Sequence, residues 1–321
     1  MIDESKVIRR ALGGFDEDPN AVERARSRLL DAIHAEKRRR RTKRRLVLPA
    51  AATVALAVAT AVVVALVGPI GGSSAAAAAE LRRLGTIASS AGGPNLGEGQ
   101  YLLVVSDELR PETRTELGGD SFTVFSRLRL QTWIGRNGAS FRRTEWISSE
   151  FASDADRRSW EEAGKPIVPH AGDVQEERSP SGEVFWVDLS GVPREPTQLL
   201  AELRSGSIVQ RSPGDDQVFL LIGELLAQGD AAPEVRAALL EAAARLEGIE
   251  KVGAVTDSLE RDGIALALDG TSIRTQLVFE PETADLLSIE LYRIRTDGSV
   301  GGLSSWRAFY PARVVDSSPE S

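Results

Sequence analysis

GIALALDGTSIRTQLVFEPETADLLSIELYRIR, residues 263–295, reads as three strands at 263–268, 272–280 and 286–295. Asp269-Gly270 and residues 281–285 supply the turns between them. In the middle strand Ile273, Thr275, Leu277 and Phe279 share one phase, the period-2 pattern of a strand with one face on a core. Linkers this short cannot hold a crossover, so neighbouring strands pair antiparallel. Residues 252–259 add a strand before this block, and 304–315 add one after it, with Trp306, Ala308 and Tyr310 in phase.

A second group of strands lies upstream, at 100–107, 122–134, 139–148 and 183–189. In 122–134, Phe122, Val124, Ser126, Leu128 and Leu130 alternate with Thr123, Phe125, Arg127, Arg129 and Gln131, and 135–138 form a hairpin turn. Residues 153–164 read as a short exposed helix or loop. Between the two strand groups the pattern is helical. Glu195-Pro196 starts a helix to about Arg204, and Asp215/Asp216 cap one bearing Val218, Phe219, Ile222, Leu225 and Leu226. Pro233 starts a third through Leu246, with Gly248 as its stop. A helix over 75–88, with Leu81, Leu84 and Ile87 in one stripe, precedes the strands. Strands, then helices, then strands predict an α+β fold, a curved antiparallel sheet packed on helices.

Further outward lies KRRRRTKRR, residues 37–45, followed by LVLPAAATVALAVATAVVVALVGPI, residues 46–70. No charge occurs from 46 to 79. The 22 residues 46–67 span about 33 Å as a helix at about 1.5 Å per residue. That length matches a hydrocarbon core of about 30 Å, so a single transmembrane helix is expected at 46–69. Eight cations collar it: Lys37, Arg38, Arg39, Arg40, Arg41, Lys43, Arg44 and Arg45. The positive-inside rule then puts the N-terminus in the cytoplasm and the C-terminal domain outside the cell membrane. The same cations are candidates for membrane-surface or partner contact. They lack interleaved aromatics for base stacking, so no nucleic-acid partner is expected.

The expected organisation is a cytoplasmic helical tail at 1–45, the span at 46–69, a spacer and helix at 70–98, and an extracytoplasmic α+β domain at 99–321. In the tail, Val22, Ala25, Leu29 and Ile33 share one helix face. A 45-residue segment is too small for its own core. That stripe is therefore a candidate partner-facing surface.

Composition narrows the chemistry. The 321 residues carry 39 Lys+Arg, 47 Asp+Glu and a net charge of -8, with no Cys and two His. Residues 1–45 alone carry +6 and the remainder -14. Without thiols, disulfides and thiolate metal sites are excluded. A serine hydrolase would need His170 as base, and no G-x-S-x-G elbow is present. Asp154/Asp156 and Asp215/Asp216 read as helix caps or solvated charges, and Asp257 and Asp262 bracket a turn. The Trp residues at 133, 146, 160, 186 and 306 read as core or sheet-face residues, with Trp133 and Trp306 the candidates for lining a ligand. No catalytic, cofactor or metal residue is assigned, and no enzymatic activity is expected.

Several segments carry a resemblance: Asp18-Pro19 with Ala25-Arg26 and Leu29-Leu30 in the tail, EGQYLL at 98–103, LSGVPREPTQLLAEL at 189–203, PEVRAALLEAAARLEGI at 233–249, VTDSLERDGIAL at 255–266 and LVFEPETADLL at 277–287. In these the chain resembles actinobacterial single-pass membrane proteins encoded beside extracytoplasmic-function sigma factors, which are anti-sigma-factor-like. The resemblance implies an outer domain similar to the lipoprotein-carrier half-barrel, an open sheet able to hold acyl chains. It implies a sensor or regulatory role with two partners: a cytoplasmic sigma factor or other regulator, and a lipid or lipoprotein outside. Members with a full anti-sigma domain have a longer inner segment, sometimes with a His/Cys zinc motif. This tail is shorter and has no Cys. An anchored lipid- or lipoprotein-binding module with no direct role in transcription control is the alternative.

Overall fold

A computed structural model describes residues 74–115, 121–136, 138–179, 187, 189, 191–206 and 213–317. The tail with its stripe, the cationic collar and the expected span at 46–69 lie outside the described residues. No helix among the described residues is long and apolar enough to cross a membrane.

The fold is α+β. Five helices are described: α1 (Ser74–Ser90), α2 (Asp154–Glu162), α3 (Pro196–Ser205), α4 (Asp215–Leu226) and α5 (Pro233–Ala243). The strands are β1 (Tyr101–Thr115), β2 (Ser121–Gly135), β3 (Ser140–Phe151), β4 (Val174–Ser179), β5 (Glu250–Thr256), β6 (Asp262–Asp269), β7 (Ile273–Phe279), β8 (Leu286–Ile294), β9 (Val300–Phe309) and β10 (Arg313–Val315). They form one antiparallel sheet in the order β4-β3-β2-β1-β9-β8-β7-β6-β5, with β10 also on β1. Two meanders, β1–β4 and β5–β9, therefore join where the first strand pairs with the ninth. The helices α3, α4 and α5 fall between the meanders in the chain.

Packing divides the chain into two compact units. The smaller takes its described residues from Pro111–Ser126 and Ser149–Pro169. Phe122, Val124 and Val168 form its core, with Phe151 and Trp160 packed on them. Ser153 caps α2 by accepting from Asp156 N at 3.1 Å, and Asp156 Oδ1 accepts from Thr123 N at 2.8 Å. The acidic pair Asp154/Asp156 thus sits in the first turn, where the helix dipole favours negative charge. The helix is exposed, as its polarity predicts.

The larger unit holds the main core. Leu81 and Leu84 of α1, Leu199 and Leu203 of α3, Phe219 and Ile222 of α4, and Leu239 of α5 bury one face of the sheet. The core also takes Leu266, Leu277, Phe279, Ile289 and Phe309 from the strands. Burying a large apolar side chain contributes about 1.5–3 kcal/mol, so this cluster is the main source of stability. Glu80 of α1 is buried and meets Lys251 Nζ of β5 at 2.6 Å. Burial raises its pKa, but the hydrogen bonds from Lys251 and Arg83 outweigh that and leave it lowered. Helix α5 stops at Ala243 with the right-handed Ala244 as its cap, short of the expected end at Leu246, so Gly248, at φ +79°, bends the chain beyond the helix and is not its stop.

The structure changes several expected boundaries. β1 continues to Thr115, past the expected end at 107. Its pairing to β9 covers Ser106–Leu109, so Pro111 stands beyond that ladder and costs it no hydrogen bond. The expected strand at 183–189 is not formed at Val187 or Leu189, and the rest of it lies outside the described residues. A strand forms instead at β4. The expected strand at 304–315 is two strands, β9 and β10, which pair with successive stretches of β1. Tyr310 N donates to Val105 O at 2.9 Å at the corner between them. Asp215 and Asp216 lie inside the first turn of α4, and the cap is Gly214.

Candidate functional site

Direct cross-strand partners share a face of the sheet. Ser106 opposes Phe309 and Glu108 opposes Arg307, and Phe309 belongs to the helix-side core. Ser106, Glu108 and Arg307 therefore point toward the helices. There they line a cavity of about 310 Å³ with Thr132 of β2, Arg142 of β3 and the α4 residues Leu221, Glu224 and Leu225. A second cavity of about 910 Å³ shares Val104, Ala227 and Phe309 with the first. Its walls include Leu102, Leu226, Leu286 and Leu287, with Arg236 and Arg261 among its polar groups. Both volumes fall in the range of about 300–1,000 Å³ usual for small-molecule sites.

The smaller cavity is charged. Arg307 pairs with Glu108, whose side chain is 5% exposed, and its Nη1 lies 2.6 Å from Glu224 Oε2. Burial opposes the Arg307 charge, yet Glu108 and Glu224 overcome it and raise its pKa. Arg142 goes the other way. Burial lowers its pKa, Arg307 and Arg110 repel it, and Glu108 and Glu177 offset only part of this. A guanidinium presents its donors in a planar fork suited to carboxylate and phosphate.

The opposite face carries a separate polar layer. Asp107 opposes Ala308, and its carboxylate accepts from Arg129 Nε at 2.8 Å, Arg129 Nη2 at 3.0 Å and Tyr310 Oη at 3.2 Å. The Asp107 hydrogen bond raises the Arg129 pKa despite burial. Glu290 opposes Trp306 on this face. Its Oε2 accepts from Tyr292 Oη at 2.7 Å and Gln276 Nε2 at 2.9 Å, and Ser288 Oγ lies 3.3 Å from Oε1. Burial raises the Glu290 pKa, and burial followed by the Glu290 charge raises that of Tyr292. The turn from β5 to β6 folds against this layer. Asp257 is buried there and accepts from Leu259 N, Arg261 N and Arg261 Nε at 2.8–2.9 Å. Arg261 also donates to Phe309 O at 2.6 Å and Leu287 O at 2.8 Å. Glu290 borders neither of the two cavities.

Lys37, Arg38, Arg39, Arg40, Arg41, Lys43, Arg44, Arg45, Val22, Ala25, Leu29 and Ile33 all lie outside the described residues. Neither Trp133 nor Trp306 lines the two cavities. Trp133 packs with Leu103 and Phe141, and Trp306 lies 5.8 Å beneath the Arg127 guanidinium. His170 is exposed, and its backbone N–H donates to Asp173 Oδ2 at 2.7 Å. Among the described residues no group of three His, Asp or Glu is placed to hold a metal ion. Glu108, Arg142, Glu224 and Arg307 escaped the sequence reading. Glu108, Arg142 and Arg307 are charged residues at strand positions, which alternation assigns to solvent, and Glu224 is a charged residue on helix α4.

No known family matches the chain, and no curated protein matches it. Among solved structures, the dehydratase domain from the CurF module of curacin polyketide synthase is similar at 10% identity, over 69% of this chain and 78% of that one, with a TM-score of 0.13. A likeness that slight bears on neither fold nor function.

Proposed function

We propose that the chain is a membrane-anchored, non-enzymatic sensor or regulatory protein. Its outer domain, read as half-barrel-like, holds a ligand with an apolar chain, a lipid or lipoprotein. Its tail meets a cytoplasmic regulator of the sigma-factor class. The observation that carries this reading is the pair of adjoining cavities, about 910 and 310 Å³, between the helices and the sheet. Leucine and valine walls favour an apolar chain by about 25 cal/mol per Å² removed from water. The non-enzymatic reading is supported by His170, an exposed loop residue away from both cavities.

The test is solvent extraction of the full chain, purified in a neutral detergent, followed by mass spectrometry. An acyl-bearing molecule near one per chain is the expected result, and Val104→Trp, which fills the wall common to both cavities, should reduce it severalfold. Extracts holding only the detergent would overturn the binding role. A pull-down with the full chain tests the cytoplasmic arm. Capture of a sigma factor supports the regulatory reading, and failure to capture one leaves an anchored binding module.

A further inference from the structure

We infer that the polar part of the ligand is an uncharged carbonyl, an ester or amide, held in the smaller cavity by the hydroxyls of Ser106 and Thr132. This rests on the proposed reading that the adjoining cavity takes an apolar chain.

Ser106 of β1 and Thr132 of β2, on adjacent strands, both line the smaller cavity. They are 6% and 8% exposed, so each is more than nine-tenths buried. Neither hydroxyl has a hydrogen-bond partner among the described residues. Each oxygen keeps some accessible surface, which for residues this buried opens into the cavity they line. Buried hydroxyls in folded proteins are normally paired, so two such groups in one cavity point to a ligand that pairs them. The charges there are already matched. Glu108 and Glu224 balance Arg142 and Arg307, Arg307 engages both acids, and Arg142 has a partner of its own. An entering ion of either sign would give up its hydration and find no counter-charge to spare. What the cavity offers beyond those pairs is two neutral O–H donors. A carbonyl oxygen has two lone pairs and no net charge, so a single one can accept from both. Finally, Val104, Ala227 and Phe309 belong to both cavities, so one ligand can place its carbonyl in the smaller and its chain in the larger.

The experiment uses the full chain in a maltoside detergent, which has no carbonyl. It measures displacement of tritiated monododecanoyl glycerol by three unlabelled probes: the same ester, dodecyl glyceryl ether, and dodecanoate at a pH of about 8, where the acid is ionised. The ester and the ether differ only in the carbonyl. The ester is expected to bind about 5- to 100-fold more tightly than the ether, the scale of two neutral hydrogen bonds, and more tightly than dodecanoate. Ser106→Ala combined with Thr132→Val should bring the ester-to-ether ratio close to one and spare the ether, whereas Thr132→Ser alone should keep most of the ratio. A merely structural role for the two hydroxyls would weaken both probes together. Thermal melting reports whether each variant folds. If the double variant does not, Thr132→Val alone serves instead and should lower the ratio severalfold. Equal binding of ester and ether by the wild type would overturn the carbonyl and leave the apolar cleft standing. Tighter binding of dodecanoate than of the ester would overturn the uncharged group. A ratio unchanged in the variants would overturn the assignment to Ser106 and Thr132. Binding of none of the probes would overturn both readings.

Discussion

At Glu290 a carboxyl group is buried on β8 and surrounded by the hydroxyls and amide of Tyr292, Ser288, Gln276 and Ser258. Burial raises its pKa and nearby Asp257 adds to the rise. A carboxyl raised on folding stabilises the fold in its protonated form. That contribution is complete below the unfolded value of about 4.3 and is lost as pH climbs through the folded value. Glu290→Gln keeps the shape and removes the titration. Thermal melts from acid to neutral pH should fall less steeply for this variant than for the wild type, and parallel curves would refute the assignment. Asp257 carries the opposite kind of burial. Its side chain is fully buried and paired to Arg261, which is 28% exposed. Asp257→Ala removes the counter-charge of that guanidinium, which keeps its bonds to Phe309 O and Leu287 O, and strands two backbone donors, and should cost about 3 kcal/mol, read from the urea midpoint. Neither burial was legible beforehand. The sequence places Asp257 beside a turn, but a sequence cannot say whether a turn folds back over a sheet. Glu108, Arg142 and Arg307 sit at strand positions that alternate like solvent-facing charges, and only the register against β9 and the cover of α4 turn them inward.

Helix α4 shows what element packing adds. A Cβ on Gly223 would lie 2.7 Å from Leu277 Cδ2 and 3.3 Å from Ile289 Cδ1, so the helix approaches the sheet through its missing side chain. Alanine there would recover about 1 kcal/mol of helix propensity against a modest clash. Valine has no such compensation, and Gly223→Val should destabilise by about 1–3 kcal/mol. Leu84 of α1 is fully buried, and Leu84→Ala should cost about 2–5 kcal/mol in chemical denaturation. A cost below 1 kcal/mol would mean that α1 is not part of the core. The helices and the β5–β9 meander were legible because their apolar periods are strong and their turns carry Gly, Pro and Asp. β4 was not legible, since VQEERS is an exposed, charged edge strand whose pairing to β3 leaves no apolar alternation. In β7 Thr275, Leu277 and Phe279 of the expected phase are buried and Ile273 is half-buried, yet Gln276 and Val278 on the other phase are buried as well. Val278 packs with Ala265 and Leu287 in a second small cluster, a contact that period-2 reasoning does not contain.

Across the whole molecule, one apolar span at 46–69 is expected to hold the acidic region to the outer side of a membrane. Protease added to intact cells should digest residues beyond the span and spare the tail, and a high-salt wash should release no protein. Release by salt would remove the anchor from the account. Composition and periodicity by themselves determined the α+β class, the antiparallel pairing within the β5–β9 meander and across the 135–138 hairpin, the absence of thiol chemistry and the charge asymmetry that predicts orientation. These are local properties, set by which side chains neighbour one another along the chain. The pairing of β1 with β9, the two cavities beside it and the inward-facing charges Glu108, Arg142 and Arg307 were decided only by tertiary structure. Those features join residues about 200 positions apart, and their free energy depends on burial and register that no local pattern records.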